Sequence, residues 1–317
     1  MLNRMLKLAD TIAIGGHVRP DGDCIGSSMG LCRYIKENYS DKEVDVYLEE
    51  IPEKYRFIKE TENVKFAAPE GKVYDLFISL DCADLERLGF SVPLFEQAAH
   101  TLCIDHHVSN PGYAQENHIV PEASSTSELV YRLVDKDKLS REAAEALYAG
   151  IVNDTGAFQY SCTSPATLRA AAELLEAGVD APGIIRDTFY EKTYAQHQVL
   201  GRALLESILF QDGKCIASYI REREMKFFGV DRNDLDGIAS QLRNTKGVEV
   251  AIFMDEIRPN VYKVSLRSGE LVDVSVIARY FGGGGHKRAA GFTLTGTPYD
   301  VINNLSGQIA LQLEKEE

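Results

Sequence analysis

Four short stretches concentrate carboxylates and imidazoles where they could work together. The first is Gly16-His17-Val18-Arg19-Pro20-Asp21-Gly22-Asp23, which follows the apolar run Ile12-Ala13-Ile14. Pro20 and Gly22 predict a tight loop, with Asp-Gly-Asp pointing two carboxylates at neighbouring positions. The second is Leu80-Asp81-Cys82-Ala83-Asp84, the third Ile104-Asp105-His106-His107, and each also ends an apolar run. The fourth is Ile151-Val152-Asn153-Asp154-Thr155-Gly156, where a helical run ends in Asp and then Gly. Taken singly, each has an ordinary reading. Asp-Gly marks a turn, a lone loop His makes a hydrogen bond, and Asp84 claims no more than helix capping. Convergence changes this. Several strand ends deliver only Asp and His, and four carboxylates cannot gather without a compensating cation. The donors are oxygen-rich, with two nitrogens and no thiolate, which favours Mn²⁺ or Mg²⁺ over a structural zinc site. Two such ions about 3.5–4 Å apart can activate a water and stabilise both oxygens of an in-line phosphoryl displacement. The four stretches together offer His17, Asp21, Asp23, Asp81, Asp105, His106, His107 and Asp154 as candidate donors.

The elements that must position them follow from apolar patterning. Strand-length apolar runs recur at Thr11–Ile14, Val44–Leu48, Asp75–Leu80 and Thr101–Ile104. Helix-like segments such as Ser27–Glu37 and Tyr55–Glu60 lie between them. This alternation predicts an α/β domain with a mainly parallel sheet. In such sheets, sites gather at the carboxyl ends of strands. Ser125-x-x-Glu128 fits a capping box opening a helix, Ser140-Arg141 opens another, and Pro165–Ala177 forms a third closed by Gly178. From about Ile184 to Phe210 turn signals are nearly absent, which predicts one long connecting helix with Gly201 inside it. Beyond Gly213, strands are expected at Lys214–Ile220, Val248–Met254 and Val261–Leu266, and helices at Glu224–Phe228 and Leu235–Asn244. Arg258-Pro259-Asn260 reads as a hairpin turn. The boundary falls near 190, giving domains 1–190 and 191–317, the second including the linker helix.

The chain has 317 residues, 44% hydrophobic and 26% charged, an ordinary globular composition. No stretch approaches the roughly 20 apolar residues of a membrane span, so no membrane partner is expected. The first residues lack a long apolar core and a small-residue cleavage site, so no secretory signal is read. Six cysteines without a C-x-x-C pair suggest free thiols in a reducing cytoplasm. The net charge of −14 argues against non-specific binding of long duplex nucleic acid. Residues 1–190 carry 18 Lys+Arg against 31 Asp+Glu, a net of −13, and residues 191–317 carry 16 against 17, a net of −1. An acidic first half suits divalent cations, and a nearly neutral second half suits an anionic substrate. Acidity also serves solubility alone.

The spacing His17-x-x-x-Asp21-x-Asp23, then Asp81, then Asp105-His106-His107, then Asp154 resembles the DHH phosphoesterases, whose third motif names the family. Phe281-Gly282-Gly283-Gly284-Gly285-His286-Lys287-Arg288-Ala289-Ala290-Gly291 is similar to the glycine-rich signature of the associated C-terminal domain. Val264-Ser265-Leu266-Arg267-Ser268 is similar to the strand that faces it. The likeness covers nearly the whole chain, in order, and its compact form resembles the nanoRNase/pAp phosphatase branch. The resemblance implies a bilobal α/β hydrolase: a mainly parallel-sheet catalytic domain and a smaller α/β substrate-binding domain, joined by a helical linker. It implies that His17, Asp21 and Asp81 hold one divalent ion, and Asp23, Asp81, His106 and Asp154 the other, with Asp81 bridging. Mn²⁺ is the first expectation, with Mg²⁺ or Co²⁺ as alternatives. His107 would contact the phosphate, and Asp105 would orient the imidazoles; these two are the remaining catalytic candidates.

By themselves, four glycines read as a flexible turn. The functional reading is that Gly283, Gly284 and Gly285 let backbone N–H groups approach a phosphate or a base edge. His286, Lys287 and Arg288 add positive charge, and Arg267 suits a bidentate pair with phosphate. Tyr280 and Phe281 either stack on a base or pack in the core. Ser124, Ser125 and Thr126 cap a helix first and touch the site second. The implied substrates are short oligoribonucleotides, linear pApA and 3′-phosphoadenosine 5′-phosphate (pAp), each giving mononucleotides. A cyclic-di-AMP phosphodiesterase of the same family is one rival. A nucleotide-binding regulator without catalysis is another, which intact motifs disfavour. A homodimer is left open.

Overall fold

The computed structural model describes residues 1–314, and at His286 the backbone alone. The chain divides into two compact units, Met1–Glu191 and a second starting at Lys192. In the first, β1 (Thr11–Gly15), β2 (Glu43–Tyr47), β3 (Leu76–Leu80), β4 (His100–Asp105) and β5 (Glu116–Ile119) form one sheet, ordered β2-β1-β3-β4-β5. Every pairing is parallel, so both faces must be covered. Ile12, Ile14, Leu76, Ile78, Leu102 and Ile104 pack into the core shared with α1 (Leu2–Leu8), α2 (Gly22–Asn38), α4 (Thr126–Leu133), α5 (Arg141–Thr155) and α6 (Pro165–Glu176). Ala13, Phe77 and Tyr47 face the other way, onto Leu88, Leu94 and Phe95 from a 3₁₀ segment and α3 (Val92–Gln97). β1, β3 and β4 are neighbours, so their carboxyl ends, which carry three of the four motifs, open side by side. β5 was not foreseen; its partly exposed Glu-Asn-His-Ile lacks an apolar pattern.

The fourth motif reaches this place through helix packing. In α2, Gly26 and Gly30 face α5, where a Cβ on Gly26 would lie 2.5 Å from the Ala146 carbonyl oxygen and 2.8 Å from the Gly150 nitrogen. Only glycine allows that approach. It brings the start of α2 beside the end of α5, which Gly156 closes with a φ of +57°.

Two helical expectations fail. Tyr55–Glu60 is not a helix: one 3₁₀ turn, Glu53–Tyr55, is followed by irregular chain, with Glu60 at a φ of +66°. The single helix expected over 184–210 is broken. α7 (Ala181–Ile185) runs into a π turn, Arg186–Tyr190, and a new helix, α8 (Tyr194–Leu205), starts after Thr193. Thr193 and Gln196 form a reciprocal capping box there, a Thr-x-x-Gln signal present in the sequence.

In the second unit β6 (Ile208–Phe210), β7 (Cys215–Ile220), β8 (Val250–Arg258), β9 (Val261–Ser268), β10 (Gly284–His286) and β11 (Ala289–Thr295) form a mixed sheet, ordered β10-β11-β9-β8-β7-β6. Among the described residues, only β7 and β8 pair in parallel in this sheet. The β8–β9 hairpin turns at Pro259-Asn260, as expected, with Asn260 at a φ of +59°. One face packs on α11 (Val274–Tyr280) and α12 (Pro298–Leu313). The other packs on α8, α9 (Glu222–Phe228) and α10 (Ile238–Arg243). α10 starts later than expected because Gly237, at a φ of +85°, separates it from a short 3₁₀ turn, Asn233–Leu235. Among the described residues no helix is long and apolar enough to cross a membrane.

Candidate active site

Asp81 follows β3 with a φ of +54°, a left-handed backbone that non-glycine residues rarely adopt. Its side chain is almost fully buried, and its oxygens face different ways. Oδ2 lies 3.6 Å from His17 Nε2, and Oδ1 lies 3.5 Å from His106 Nε2. Asp21 Oδ1 joins the first group, 3.7 Å from the same His17 nitrogen. Asp154 Oδ2 and Asp23 Oδ2 join the second, 3.1 and 4.0 Å from His106 Nε2. His107 Nδ1 stands 3.7 Å from Asp81 Oδ1. All eight candidates of the first domain, Asp105 included, are therefore gathered at one place. One addition was not expected: Cys24 Sγ lies within 4.8 Å of donor atoms of His17 and Asp81. Burial, then Asp81 and Asp21, pushes its thiol well up, which works against a thiolate there in the absence of an ion.

Each side chain is fixed from behind. Asp21 caps α2, with Oδ1 accepting from Asp23 N and Cys24 N at 3.0 and 3.1 Å. His17 Nδ1 lies 2.9 Å from the Val18 carbonyl oxygen, which can only accept, so Nδ1 carries a proton and Nε2 faces the carboxylates. Asp23 is completely buried at the start of α4, where Oδ2 accepts from Thr126 N at 2.6 Å and Oδ1 from Ser127 N at 2.9 Å. The open N–H groups of a helix start favour a carboxylate. Gly150 leaves room for it, since a Cβ there would lie 2.9 Å from Asp23 Oδ1. Asp105 Oδ1 accepts from His107 Nδ1 at 2.8 Å, and Oδ2 accepts from Asn110 Nδ2 at 2.6 Å. Asp105 thus holds the ring of His107 only; His106 Nδ1 lies 3.4 Å from the Ala123 carbonyl oxygen instead.

Sequence reasoning named Ser124, Ser125 and Thr126 as helix caps beside the site but missed the tertiary partners of Glu128. Thr126 Oγ1 donates to Asp81 Oδ1 at 3.2 Å, so this residue does touch the site. Ser125 caps α4 by accepting from Glu128 N at 3.0 Å. The reciprocal half of the box is not made. The buried Glu128 carboxylate accepts instead from Ser124 N at 3.0 Å, Ser124 Oγ at 2.5 Å and Thr167 Oγ1 at 3.0 Å, and it pairs with Arg132. The Ser-x-x-Glu spacing marked this residue but could not reveal its tertiary partners.

The electrostatics ask for a cation. Burial disfavours charge on His17, yet hydrogen bonds with Asp21 and Asp81 outweigh it and hold the pKa up at about 10. For His106, Asp154 and Asp81 likewise outweigh burial and push it up to about 12. Asp81 stays far below the usual carboxylate range, because His106 and His17 overcome its burial. Asp23 is pushed well up by burial, then by Asp81 and Asp154. Asp154 rises to about 6, with burial the largest cause. Asp23, Asp81 and Asp154 thus compete with two imidazoles for protons. A pair of divalent cations fits this donor set, since it neutralises the carboxylates and displaces the imidazole protons.

The second unit holds the other candidates. Arg267 lies on β9 opposite Ala289, half-buried, with Nη1 donating to the Leu266 carbonyl oxygen at 3.0 Å. The glycine run is not a loose turn. Gly284 to His286 form β10 and pair with Ala289 to Gly291. A Cβ on Gly285 would lie 2.5 Å from the Ala289 carbonyl oxygen, at a φ of +144°. Gly283 packs as closely on Phe292 and Gly291. Lys287 is exposed, and Arg288 pairs with Glu270 at 2.6 Å. The His286 side chain lies outside the described part. Phe281 stacks on Phe292 at 5.2 Å and joins the core, whereas Tyr280 is exposed.

Residues 11–151 match the DHH family, N-terminal domain, and residues 212–314 match the DHHA1 domain. The bifunctional oligoribonuclease and PAP phosphatase NrnA of Thermus thermophilus is 31% identical over 91% of this chain and 86% of its own length. The cyclic-di-AMP phosphodiesterase GdpP of Bacillus subtilis is 26% identical over 93% of this chain, which spans 46% of that longer protein. Among solved structures, an exopolyphosphatase-related protein from Bacteroides fragilis is similar with a TM-score of 0.89, at 26% identity, over 98% of this chain and 94% of its own. With both domains matched in order, and a relative of 31% identity along nearly the whole chain, the protein belongs to the DHH family.

Proposed function

We propose that this chain uses two divalent ions, Mn²⁺ foremost, to hydrolyse short oligoribonucleotides, including pApA, and the 3′-phosphate of pAp. The observation that carries the reading is the division of Asp81, with one oxygen at each of two donor groups. His17, Asp21 and Asp81 would hold one ion, and Asp23, Asp81, His106 and Asp154 the other. Ions bound there would activate a water and stabilise the attacking and leaving oxygens of an in-line displacement. The side chains supply the rest. Backbone N–H groups at the start of α4 keep Asp23 in place. Burial works against charge on His107, but Asp105 outweighs it and raises the pKa, which favours a cationic ring able to meet a phosphate oxygen.

In this reading residues 1–190 carry out the chemistry and residues 191–317 bind the nucleotide. Arg267, Lys287, Arg288, His286 and the backbone of Gly283 to Gly285 would grip phosphate and base. The relative with the oligoribonuclease and PAP phosphatase name is matched along nearly its whole length, which supports these substrates. The cyclic-di-AMP phosphodiesterase is about twice as long, and its activity has the weaker claim. The test is product analysis on pAp, pApA, cyclic-di-AMP and RNAs from two to about twenty nucleotides. Fast release of mononucleotides from pAp and the shortest RNAs is expected, abolished by chelator and restored best by Mn²⁺. Cyclic-di-AMP as the preferred substrate, or activity that survives chelation, would overturn the proposal.

A further inference from the structure

The two oxygens of Asp154 have separate partners. Oδ2 lies 3.1 Å from His106 Nε2, and Oδ1 accepts a hydrogen bond of 3.1 Å from the Asn153 side-chain amide. That amide is itself held. The Tyr55 hydroxyl donates to Asn153 Oδ1 at 2.8 Å, and a donor at the carbonyl end leaves the NH₂ end for Asp154. Tyr55 is almost fully buried, in one core with Ile51 and Ile58. Gly22 closes the third side: a Cβ there would lie 2.6 Å from Tyr55 Oη and 2.7 Å from Asn153 Cβ. Gly22 does not have a left-handed backbone. It opens α2, so this position is glycine for close approach and not for a turn. The start of α2, with Asp21 and Asp23, is thereby packed on the same pair that touches Asp154.

We propose that Asn153, held by the Tyr55 hydroxyl, is a positioning residue that sets the aim of Asp154 at the ion it would share with Asp23 and His106. The inference rests on the two-ion reading of the site. A carboxylate in the last turn of a helix rotates about its own bond unless something holds it. With Oδ1 tied to Asn153, Oδ2 stays beside His106. Partners that orient metal ligands typically change metal affinity by about 10–100-fold. Such a role predicts a defect that excess ion overcomes. A packing role predicts a loss of stability that no ion concentration repairs.

The test uses the full chain stripped with chelator. Mn²⁺ is titrated by calorimetry into the parent, Tyr55→Phe, Asn153→Leu and Asp154→Ala, and hydrolysis of a diribonucleotide is followed against Mn²⁺ concentration. Tyr55→Phe removes one hydroxyl and should lower the Tm of the stripped protein by no more than about 4 °C. It should weaken one of the two binding steps by about tenfold, and Asn153→Leu by up to about a hundredfold. Both should recover near-parental kcat at saturating Mn²⁺, with the half-maximal concentration raised by the same factor. Asp154→Ala should lose one binding step outright. Parental Mn²⁺ affinity in both Tyr55→Phe and Asn153→Leu overturns the proposal, as does lost activity that Mn²⁺ cannot restore. A parent that binds fewer than two ions, with Asp154→Ala indistinguishable from it, defeats the two-ion reading itself and is a separate outcome.

Discussion

The two oxygens of Asp81 lie at separate donor groups, and the residue holds them there from a left-handed backbone. That conformation costs about 1–2 kcal/mol for a residue with a Cβ, and the hydrogen bond from Thr126 and the two facing imidazoles hold it. Asp and Asn tolerate this region better than other side chains. Asp81→Asn should therefore fold normally by circular dichroism, yet lose activity by several orders of magnitude on every phosphoester substrate. Near-normal turnover would sink the bridging role. The proton balance gives a second prediction at this scale. His17 and His106 both have pKa values raised far above the usual imidazole range by their carboxylate partners. Both are therefore protonated at neutral pH before an ion arrives. An ion that takes either nitrogen must release that proton, so binding strengthens as pH rises and weakens as it falls. Calorimetry of Mn²⁺ binding at pH 7, in buffers of different ionisation heat, should report net proton release when both ions bind, with His17, His106 and the raised Asp23 carboxyl as its sources. Release of none would mean that the imidazoles are not displaced, and the assignment of His17 and His106 as ligands would fail.

At the scale of elements, the closeness of α2 and α5 matters most, because α2 carries Asp23 and α5 carries Asp154. Helix propensity alone says that Gly→Ala inside a helix gains up to about 1 kcal/mol. At Gly26 the added Cβ would lie 2.5 Å from a backbone oxygen, which no rotamer change can relieve. Overpacking of this kind costs roughly 1–3 kcal/mol, so it wins. Gly26→Ala should lower stability in urea and weaken Mn²⁺ binding. Gly201→Ala, in α8 with nothing within 4 Å, should instead be neutral or stabilising by up to about 1 kcal/mol. Equal effects of the two would refute the packing argument. The same contrast explains what the sequence could tell. The loops after β1, β3 and β4 were legible, because apolar runs ending in Asp and His are local patterns. So were the parallel sheet and the β8–β9 hairpin. What stayed hidden depends on residues far apart in the chain. Glu128 meets Thr167, Tyr55 meets Asn153, and Gly26 meets Ala146, and none of these pairs leaves a periodic trace. Tyr55–Glu60 looked helical from its apolar spacing, but Tyr55 is turned inward toward Asn153 and the chain there is irregular. The long helix over 184–210 was a different failure, since the Thr193-x-x-Gln196 signal was present and was passed over.

Across the whole molecule the charge is divided, at −13 over residues 1–190 and −1 over residues 191–317. Every proposed metal ligand lies in the acidic part, and Arg267, Lys287 and Arg288, proposed to bind the nucleotide, lie in the other. Long RNA needs an extended basic track, which a net charge of −14 disfavours. A dimer should therefore be cut faster than a twenty-mer at equal concentration of ends. The division of labour can be tested directly. If Arg267 binds nucleotide while the first domain does the chemistry, Arg267→Ala should lose binding to natural substrates, seen as a fall in kcat/KM. One lost charge-assisted pair costs roughly 1.5–3 kcal/mol, about ten- to a hundredfold. A small synthetic diester has no base and no second phosphate, so the same variant should cleave it almost as fast as the parent does. Asp23→Ala and His106→Ala should abolish turnover of both substrates, because both reactions need the same ligands. The measurement sets these three variants and the parent against the two substrates with Mn²⁺ saturating. An equal loss for Arg267→Ala on both would mean that the second domain takes part in the chemistry, and the separation of roles between the domains would have to be abandoned.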